Sequence, residues 1–169
     1  MKSLASDQDF WTFSMHFYAL PGVAAACVAL QDKGGVDVNL LLFAVWSGMT
    51  GCAFRADQIT AADDACRSWR DGVIIPLRTA RRTLKMAGRR HNPAAAAQLR
   101  TRIGEAEIEA ERLQQLMLAA SVSLEHIDRP QLTLVFENLD AYCIQYLGLI
   151  DCTDLEVIRS ASQTFLDAC

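Results

Sequence analysis

The sequence has little proline and histidine, and it lacks the short motifs by which many catalytic and cofactor sites are recognised. Four prolines and nine glycines among 169 residues are too few for a linker-rich or low-complexity chain. There is no C-x-x-C pair, no H-E-x-x-H, no G-x-S-x-G and no glycine-rich phosphate loop. The residues therefore predict no catalytic group, no metal ligand and no cofactor, and they give an enzyme no positive support.

The sequence also lacks the signals of export and of membrane insertion. Asp7 and Asp9 lie where a signal peptide needs its apolar run. The uncharged runs 10–31 and 38–54 are interrupted by glycine and polar residues, and the first also by Pro21, so buried helices explain them better than membrane spans do. The six cysteines are scattered, several of them among Ala, Val and Leu, as reduced core cysteines are. We expect a cytoplasmic protein that binds no membrane.

Helix start and stop signals recur along the chain, and the alternation typical of strands is almost absent. Asp37 and the pair Asn92-Pro93 are examples of predicted N-caps, and Pro76 predicts a kink or restart. We predict one all-α domain over 1–169, a bundle of seven or eight helices. The predicted helices cover about 7–19, 21–33, 38–50, 61–71, a segment reaching Ala87, 93–125, a segment from Pro130 to Leu147, and one that Thr153 caps.

The long helix after Asn92 carries the cleanest apolar pattern. Its small and apolar residues follow a 4-3-4-3 spacing, the seam of a coiled coil: Leu99, Ile103, Ala106, Ala110, Leu113, Met117, Ala120 and Leu124. This seam packs inside the bundle in one interpretation and forms a homodimer contact in the other. The carboxylates of 105–111 are spread over several helix faces, which is typical of a solvated surface.

Positive charge is concentrated in one segment of an acidic chain. The net charge is −4, yet no acidic residue lies between Asp71 and Glu105. That interval holds eight of the sixteen basic residues: Arg78, Arg81, Arg82, Lys85, Arg89, Arg90, Arg100 and Arg102. By contrast, residues 103–169 hold twelve acidic and three basic residues.

A short connection near 88–92 predicts an antiparallel helical hairpin with the basic segment at its tip. In that hairpin we expect Arg78 to reach Glu105, and Arg81 to lie near Arg100 and Arg102, so that like charges repel. An anionic partner would relieve this repulsion. An acidic protein, a phosphate ligand and a nucleic acid are all open, as is neutralisation by the C-terminal helices of the chain itself. The first hypothesis is thus a binding or scaffold protein that engages an anionic partner through this tip.

A second hypothesis places a small-molecule pocket, possibly enzymatic, in the N-terminal third of the bundle. Polar and aromatic residues occur there among apolar ones, and the predicted pocket is lined by Trp11, His16, Asn39, Trp69 and Arg70. Alternatively, Asp37 and Asn39 only satisfy the free amides at the start of their own helix.

Four ordered blocks resemble a known family. They are 10-FWTFS-14, 18-YALPGVAAACVALQD-32, 36-VDVNLLLFAVW-46 and 69-WRDGVIIPLRTARRTLK-85. Together they are similar to an uncharacterised family of short, mainly proteobacterial proteins with no assigned activity. The resemblance covers about 8–115 and implies a small helical bacterial protein of the cytosol, with residues 116–169 packing on that core. It assigns no catalytic residue.

Overall fold

The computed structural model describes residues 9–87, 92–148 and 153–168, and these residues form helices without strands. The elements are α1 (Phe10–Tyr18), α2 (Val23–Gly34), α3 (Val38–Met49), α4 (Ala56–Trp69), a π-helical turn (Arg70–Ile74), α5 (Ile75–Ala87), α6 (Pro93–Ser121), α7 (Gln131–Leu147) and α8 (Thr153–Asp167). The all-α class and the long helix are confirmed. Segment 132–136, which has β-propensity, lies in α7 as predicted.

Several helix boundaries are set by capping side chains, of which Asp37 and Asn92 are the predicted ones and Asp9 is not. Asp9 Oδ1 accepts a hydrogen bond from the Thr12 amide, so α1 begins after Asp9, later than the predicted residue 7. Asp37 Oδ1 accepts from the amides of Asn39 and Leu40, as predicted. Asn92 caps α6 through the Ala95 amide. These side chains supply acceptors for amides that have no partner inside the helix.

The predicted start of α4 is wrong by about one turn and a half. The predicted helix 61–71 takes Thr60 as its N-cap, but α4 begins at Ala56 and the Thr60 hydroxyl donates to the Ala56 carbonyl inside it. Gln58 Oε1 instead accepts from the Arg55 amide at the helix start. At its other end α4 continues into the π-helical turn, in which the Ile75 amide donates to the Arg70 carbonyl. Pro76 follows directly, and a wider turn accommodates a residue without an N–H.

The core forms around α3, which has more buried residues than its neighbours. Phe43 contacts the rings of Phe10 and Phe54 edge to face, with centroids 5.2 Å apart in both cases. The backbone of α7 lies against Gly48, where a Cβ atom would come within 2.5 Å of the Val135 backbone. The helix α8 packs on α2, and α5 packs antiparallel on α6.

The buried face of α6 is not the predicted seam. Leu99 and Leu113 are 45% and 40% exposed, and Ala106 is also exposed. Of the eight seam positions, only Ala110 is buried. The buried stripe is displaced around the helix and is largely polar: Glu107, Ala110, Gln114, Gln115 and Leu118. Packing of the whole seam inside the bundle is therefore wrong, and a homodimer through it stays a prediction.

Among the described helices, none is both long and apolar enough to cross a bilayer by itself. The helices α1 and α2 have the required length and apolar composition only when taken together, and they are bent by 100° relative to each other.

Candidate ligand-binding cleft

A cleft of about 940 Å³ opens between α1, α2, α3, α5 and α6. Its lining includes large hydrophobic residues that the fold leaves exposed, which we name the apolar wall: Met15, Val28, Ile75 and Ile108. Its polar lining residues, which we name the polar wall, are Asp37, Asn39, Arg70, Arg78, Arg81, Arg82, Glu107, Glu111, Gln114 and Gln115. The volume is within the range of small-molecule sites, and an apolar lining with a few placed polar groups is their usual composition.

A chain of hydrogen-bonded side chains connects α3 to α6 at the buried end of the cleft. Gln114 Nε2 donates to Asp37 Oδ2 at 2.5 Å, and Asn39 Nδ2 donates to Gln114 Oε1 at 2.7 Å. Gln115 Nε2 then donates to Asn39 Oδ1 at 2.9 Å. All three amide side chains are buried. Asn39 therefore does not cap its own helix, and its side chain belongs to the cleft.

Arg70 holds the adjacent part of the polar wall in place. Its Nη1 atom lies 2.5 Å from Asp63 Oδ1 and 3.2 Å from Asp37 Oδ2. Burial opposes the charge of Arg70, but the hydrogen bonds and charges of Asp63 and Asp37 outweigh it and raise its pKa. Because a buried charge is tolerated only when it is paired, Arg70 ties the π-helical turn to α3 and α4.

Further along the wall, two arginines of α5 share one carboxylate of α6. Arg78 Nε and Arg81 Nε lie 3.0 Å and 2.5 Å from the two oxygens of Glu107. Burial favours the neutral acid, but the hydrogen bonds from Arg81 and Arg78 outweigh this effect and hold the pKa of Glu107 below its ordinary value. Arg78 also bonds Glu111 at 2.8 Å and Gln31 at 2.6 Å. Burial raises the pKa of Glu111, and Arg78 offsets only part of that rise.

These contacts correct the predicted charge balance of the hairpin. Arg81 and Arg82 are engaged by carboxylates of their own chain, so the expected repulsion from Arg100 and Arg102 is wrong for them. Arg78 has an internal partner as expected, but it pairs with Glu107 and Glu111 and not with Glu105. The partners of these three arginines lie on α6 and α2, since Arg82 Nη2 is 3.2 Å from Asp32, and not on the C-terminal helices. Arg81 meets Glu107 and not Arg100, a displacement of about two turns of α6 from the predicted register.

The remaining basic residues fall into two groups. Lys85, Arg100 and Arg102 are exposed and have no ion pair within the described residues. Arg89 and Arg90 lie outside the described residues, so their predicted role is not tested by the structure. The positive tip of the hairpin is thus smaller than predicted.

The second predicted site is only partly assembled. Trp11, Asn39 and Arg70 line the cleft together. His16 is exposed on α1 and does not line it. Trp69 also lies outside the lining, because its indole donates to the Ala110 carbonyl at 2.9 Å and fixes α4 against α6. The two predicted sites overlap in the structure, since Arg78, Arg81 and Arg82 line the same cleft as Asn39 and Arg70, whereas Lys85, Arg100 and Arg102 do not line it.

Sequence reasoning missed the residues of α6 that form the polar wall. Glu107 was predicted to be solvated surface, which is wrong, because it is 5% exposed between two arginines. Gln114 and Gln115 were not singled out. The available signal was a polar stripe at helical spacing, formed by Glu107, Glu111 and Gln114 beside the apolar seam.

No cluster of three or more His, Cys, Asp or Glu side chains in the described ranges can hold a metal ion. Burial raises the pKa of the Cys66 thiol to about 11 and that of Cys27 to about 12, so neither thiol ionises appreciably at neutral pH. Burial also raises the pKa of Tyr18. What the cleft offers a ligand is apolar area, amide groups and guanidinium donors.

Comparison with known proteins adds a family and no activity. Residues 9–118 match the model of a family described as a protein of unknown function, DUF2390. No curated protein and no solved structure matches the chain.

Proposed function

The chain belongs to the DUF2390 family, whose description assigns no activity, and we propose that its role is to bind a small amphipathic molecule in the cleft between α1, α2, α3, α5 and α6. The observation that carries this proposal is that exposed apolar residues and buried polar groups line one cavity. Among the apolar residues, Ile108 remains 54% exposed. The buried polar groups Asn39, Gln114 and Gln115 are held by hydrogen bonds to one another. A molecule with an apolar body and polar ends fits both.

The matched region contains the described lining of the cleft. Residues 9–118 include the polar side chains of α3, α5 and α6 that line it, while the described residues of α7 and α8 contribute none of it. These two helices support α3 and α2 from the far side of the core. Binding is thus a property of the part of the chain that carries the family match.

A thermal-shift screen of metabolites, with two matched variants, tests this proposal. Ile108→Arg places a long cation in the cleft, whereas Leu116→Arg makes the same change on α6 at an exposed residue outside the lining. A ligand at about 100 times its Kd stabilises the folded state by about 2.7 kcal/mol, which raises Tm by several degrees in a domain of this size. We expect compounds that stabilise the wild type and Leu116→Arg but not Ile108→Arg. A screen without such compounds, or equal stabilisation of both variants, contradicts the proposal.

Engagement of an anionic macromolecule at the hairpin tip is a second candidate. It is supported by Lys85, Arg100 and Arg102, which have no carboxylate partner in the described part of the chain. An acidic protein, rather than a nucleic acid, fits best, because no aromatic side chain is interleaved with these cations to stack on bases. Binding of an acidic peptide that is lost in Lys85→Glu/Arg100→Glu/Arg102→Glu but kept in Arg55→Glu supports it. Binding that persists in the triple variant contradicts it.

A further inference from the structure

The amide chain of the cleft ends in an unused acceptor. Asp37 Oδ2 pairs with Arg70 and accepts from Gln114, so Gln114 presents its Nε2 group to Asp37 and its Oε1 atom to Asn39. Asn39 therefore presents its Oδ1 atom to Gln115, which answers with Nε2. Each amide is oriented by the one before it, and the last, Gln115 Oε1, is buried with no hydrogen-bond partner among the described residues.

An unpaired buried acceptor is costly and is rare in folded proteins. Gln115 is 4% exposed and lines the cleft, whose lining also includes the apolar residues Trp11 and Leu42. Gln115 cannot turn its NH₂ group toward the cleft without losing its hydrogen bond to Asn39, because the amide chain fixes the orientation of each side chain in it. A ligand that supplies an O–H or N–H donor at this point satisfies the acceptor.

The other end of the cleft has the opposite requirement. Arg81 bonds Glu107 through Nε and Nη2, and Arg82 bonds Asp32 through Nη2 only. The remaining guanidinium N–H groups, including those on Nη1 of each, are left as donors. Lys85, Arg100 and Arg102 do not line the cleft, and Glu105 is a lining carboxylate without an ion pair in the described residues. What this end offers a ligand is the unused N–H groups of Arg81 and Arg82, from which a carboxylate can accept charge-assisted hydrogen bonds.

The two ends are separated by a length that can be read along α6. Arg81 contacts α6 at Gly104 and Glu107, and the unused acceptor is on Gln115. At a rise of about 1.5 Å per residue, the separation is roughly 12 to 16 Å. Apolar side chains, Ile108 among them, line the cleft between these levels.

Resting on the proposed function of the cleft, we infer that its ligand is an elongated amphipathic acid whose apolar chain ends in a hydrogen-bond donor. The acid group lies against Arg81 and Arg82 at the open end. The chain lies on the apolar wall, and the terminal hydroxyl or amide donates to Gln115 Oε1 at the buried end.

Titration calorimetry with three matched probes tests this inference. The probes are 10-hydroxydecanoate, decanoate, which lacks the donor, and methyl 10-hydroxydecanoate, which lacks the charge. The wild type is expected to bind 10-hydroxydecanoate about five- to tenfold more tightly than decanoate, the effect of one hydrogen bond to a buried acceptor. The methyl ester is expected to bind about tenfold or more weakly than the hydroxy acid, because a charge-assisted bond is the stronger kind.

Two variants locate these effects. Gln115→Met removes the acceptor at similar volume and is expected to abolish the preference for 10-hydroxydecanoate while leaving decanoate affinity within about twofold. Gln98→Met makes the same change on an exposed residue of α6 outside the lining and is expected to keep the preference. Equal affinity of the wild type for the two acids overturns the inference even if Gln115→Met does not fold. If 10-hydroxydecanoate and decanoate bind equally and Ile108→Arg blocks both, the cleft still binds acids, and only the inferred hydrogen bond from the ligand to Gln115 Oε1 is contradicted. Absence of binding by all three probes overturns the inference, while the metabolite screen with Ile108→Arg still judges the function.

Discussion

At the scale of single residues, the polar wall is held by carboxylates that each serve two partners. Glu107 accepts hydrogen bonds from Arg78 and Arg81. Asp37 accepts from Arg70 and Gln114 through Oδ2, while its Oδ1 atom caps α3. Removal of one such carboxylate leaves two donors unpaired, so these residues are expected to be more sensitive to substitution than their polarity suggests.

Glu107→Gln is expected to lower the free energy of unfolding by about 2 to 3 kcal/mol, because two partly buried guanidinium groups lose their shared charge. Glu105→Gln, on the same helix and exposed without an ion pair in the described residues, is expected to change it by less than about 0.5 kcal/mol. Urea denaturation followed by circular dichroism measures both variants. Equal small effects would show that Glu107 is not the anchor of the two arginines.

The same region is expected to respond to pH in two opposite ways. The folded-state pKa of Glu107 lies below its ordinary value of 4.5, so its stabilising contribution is present at neutral pH and is lost as pH falls through the folded pKa. The folded-state pKa of Glu111 lies above that value, so its contribution is present at low pH and is lost as pH rises through the folded pKa.

As the pH falls from about 7 to about 4, the stability advantage of the wild type over Glu107→Gln is therefore expected to shrink, while its advantage over Glu111→Gln is expected to grow. Chemical denaturation at a series of pH values gives both differences. Parallel trends for the two variants would contradict the opposite pKa shifts.

At the scale of elements, the fold depends on a few close approaches that allow long helices to present their polar faces. The interface of α3 with α7 is the closest, since Gly48 has no side chain to separate the backbones. The π-helical turn has a different role, because it joins α4 to α5 without a break and places Arg70 between Asp37 and Asp63. π-helical turns recur at functional sites, which agrees with its position on the cleft.

Gly48→Ala is expected to destabilise the protein by about 3 kcal/mol, because the new Cβ atom meets the Val135 backbone at 2.5 Å and neither helix can yield locally. Gly72→Ala is the matched control: its Cβ atom meets nothing within 4 Å. Alanine also favours helix over glycine by about 1 kcal/mol, so this control is expected to be neutral or slightly stabilising. A thermal melt compares the two. Similar Tm values for Gly48→Ala and Gly72→Ala would mean that α3 and α7 can move apart enough to accommodate the new Cβ atom, which would contradict the prediction.

At the scale of the whole molecule, the seam of α6 remains on the surface. Its exposed positions Leu99, Ala106 and Leu113 are seven residues apart and symmetric about Ala106. Two antiparallel copies of α6 would place Leu99 opposite Leu113 of the other copy, with the small Ala106 at the crossing point. Such a self-complementary stripe suits a twofold contact.

A homodimer through this stripe is expected to appear as twice the 18.6 kDa chain mass in light scattering coupled to gel filtration. In Leu99→Glu/Leu113→Glu the two introduced carboxylates face each other across the contact, so the repulsion between them is expected to give the monomer. Leu116→Glu, also exposed on α6, is expected to keep the dimer. A monomer mass for the wild type at high protein concentration would contradict the prediction.

The sequence by itself determined the all-α class and several helix starts, because caps such as Asp37 and Asn92 act on amides two or three residues away. It also determined that Asn39 and Arg70 would lie in one polar locus, and that positive charge would gather on α5. Only the tertiary structure decided which side of α6 is buried. The apolar seam and the polar stripe lie side by side on that helix. The polar stripe is the side that is buried, because Arg78 and Arg81, which are distant in sequence, pair with Glu107. The burial of a charge depends on the partner that reaches it, and no pattern within one helix contains that partner.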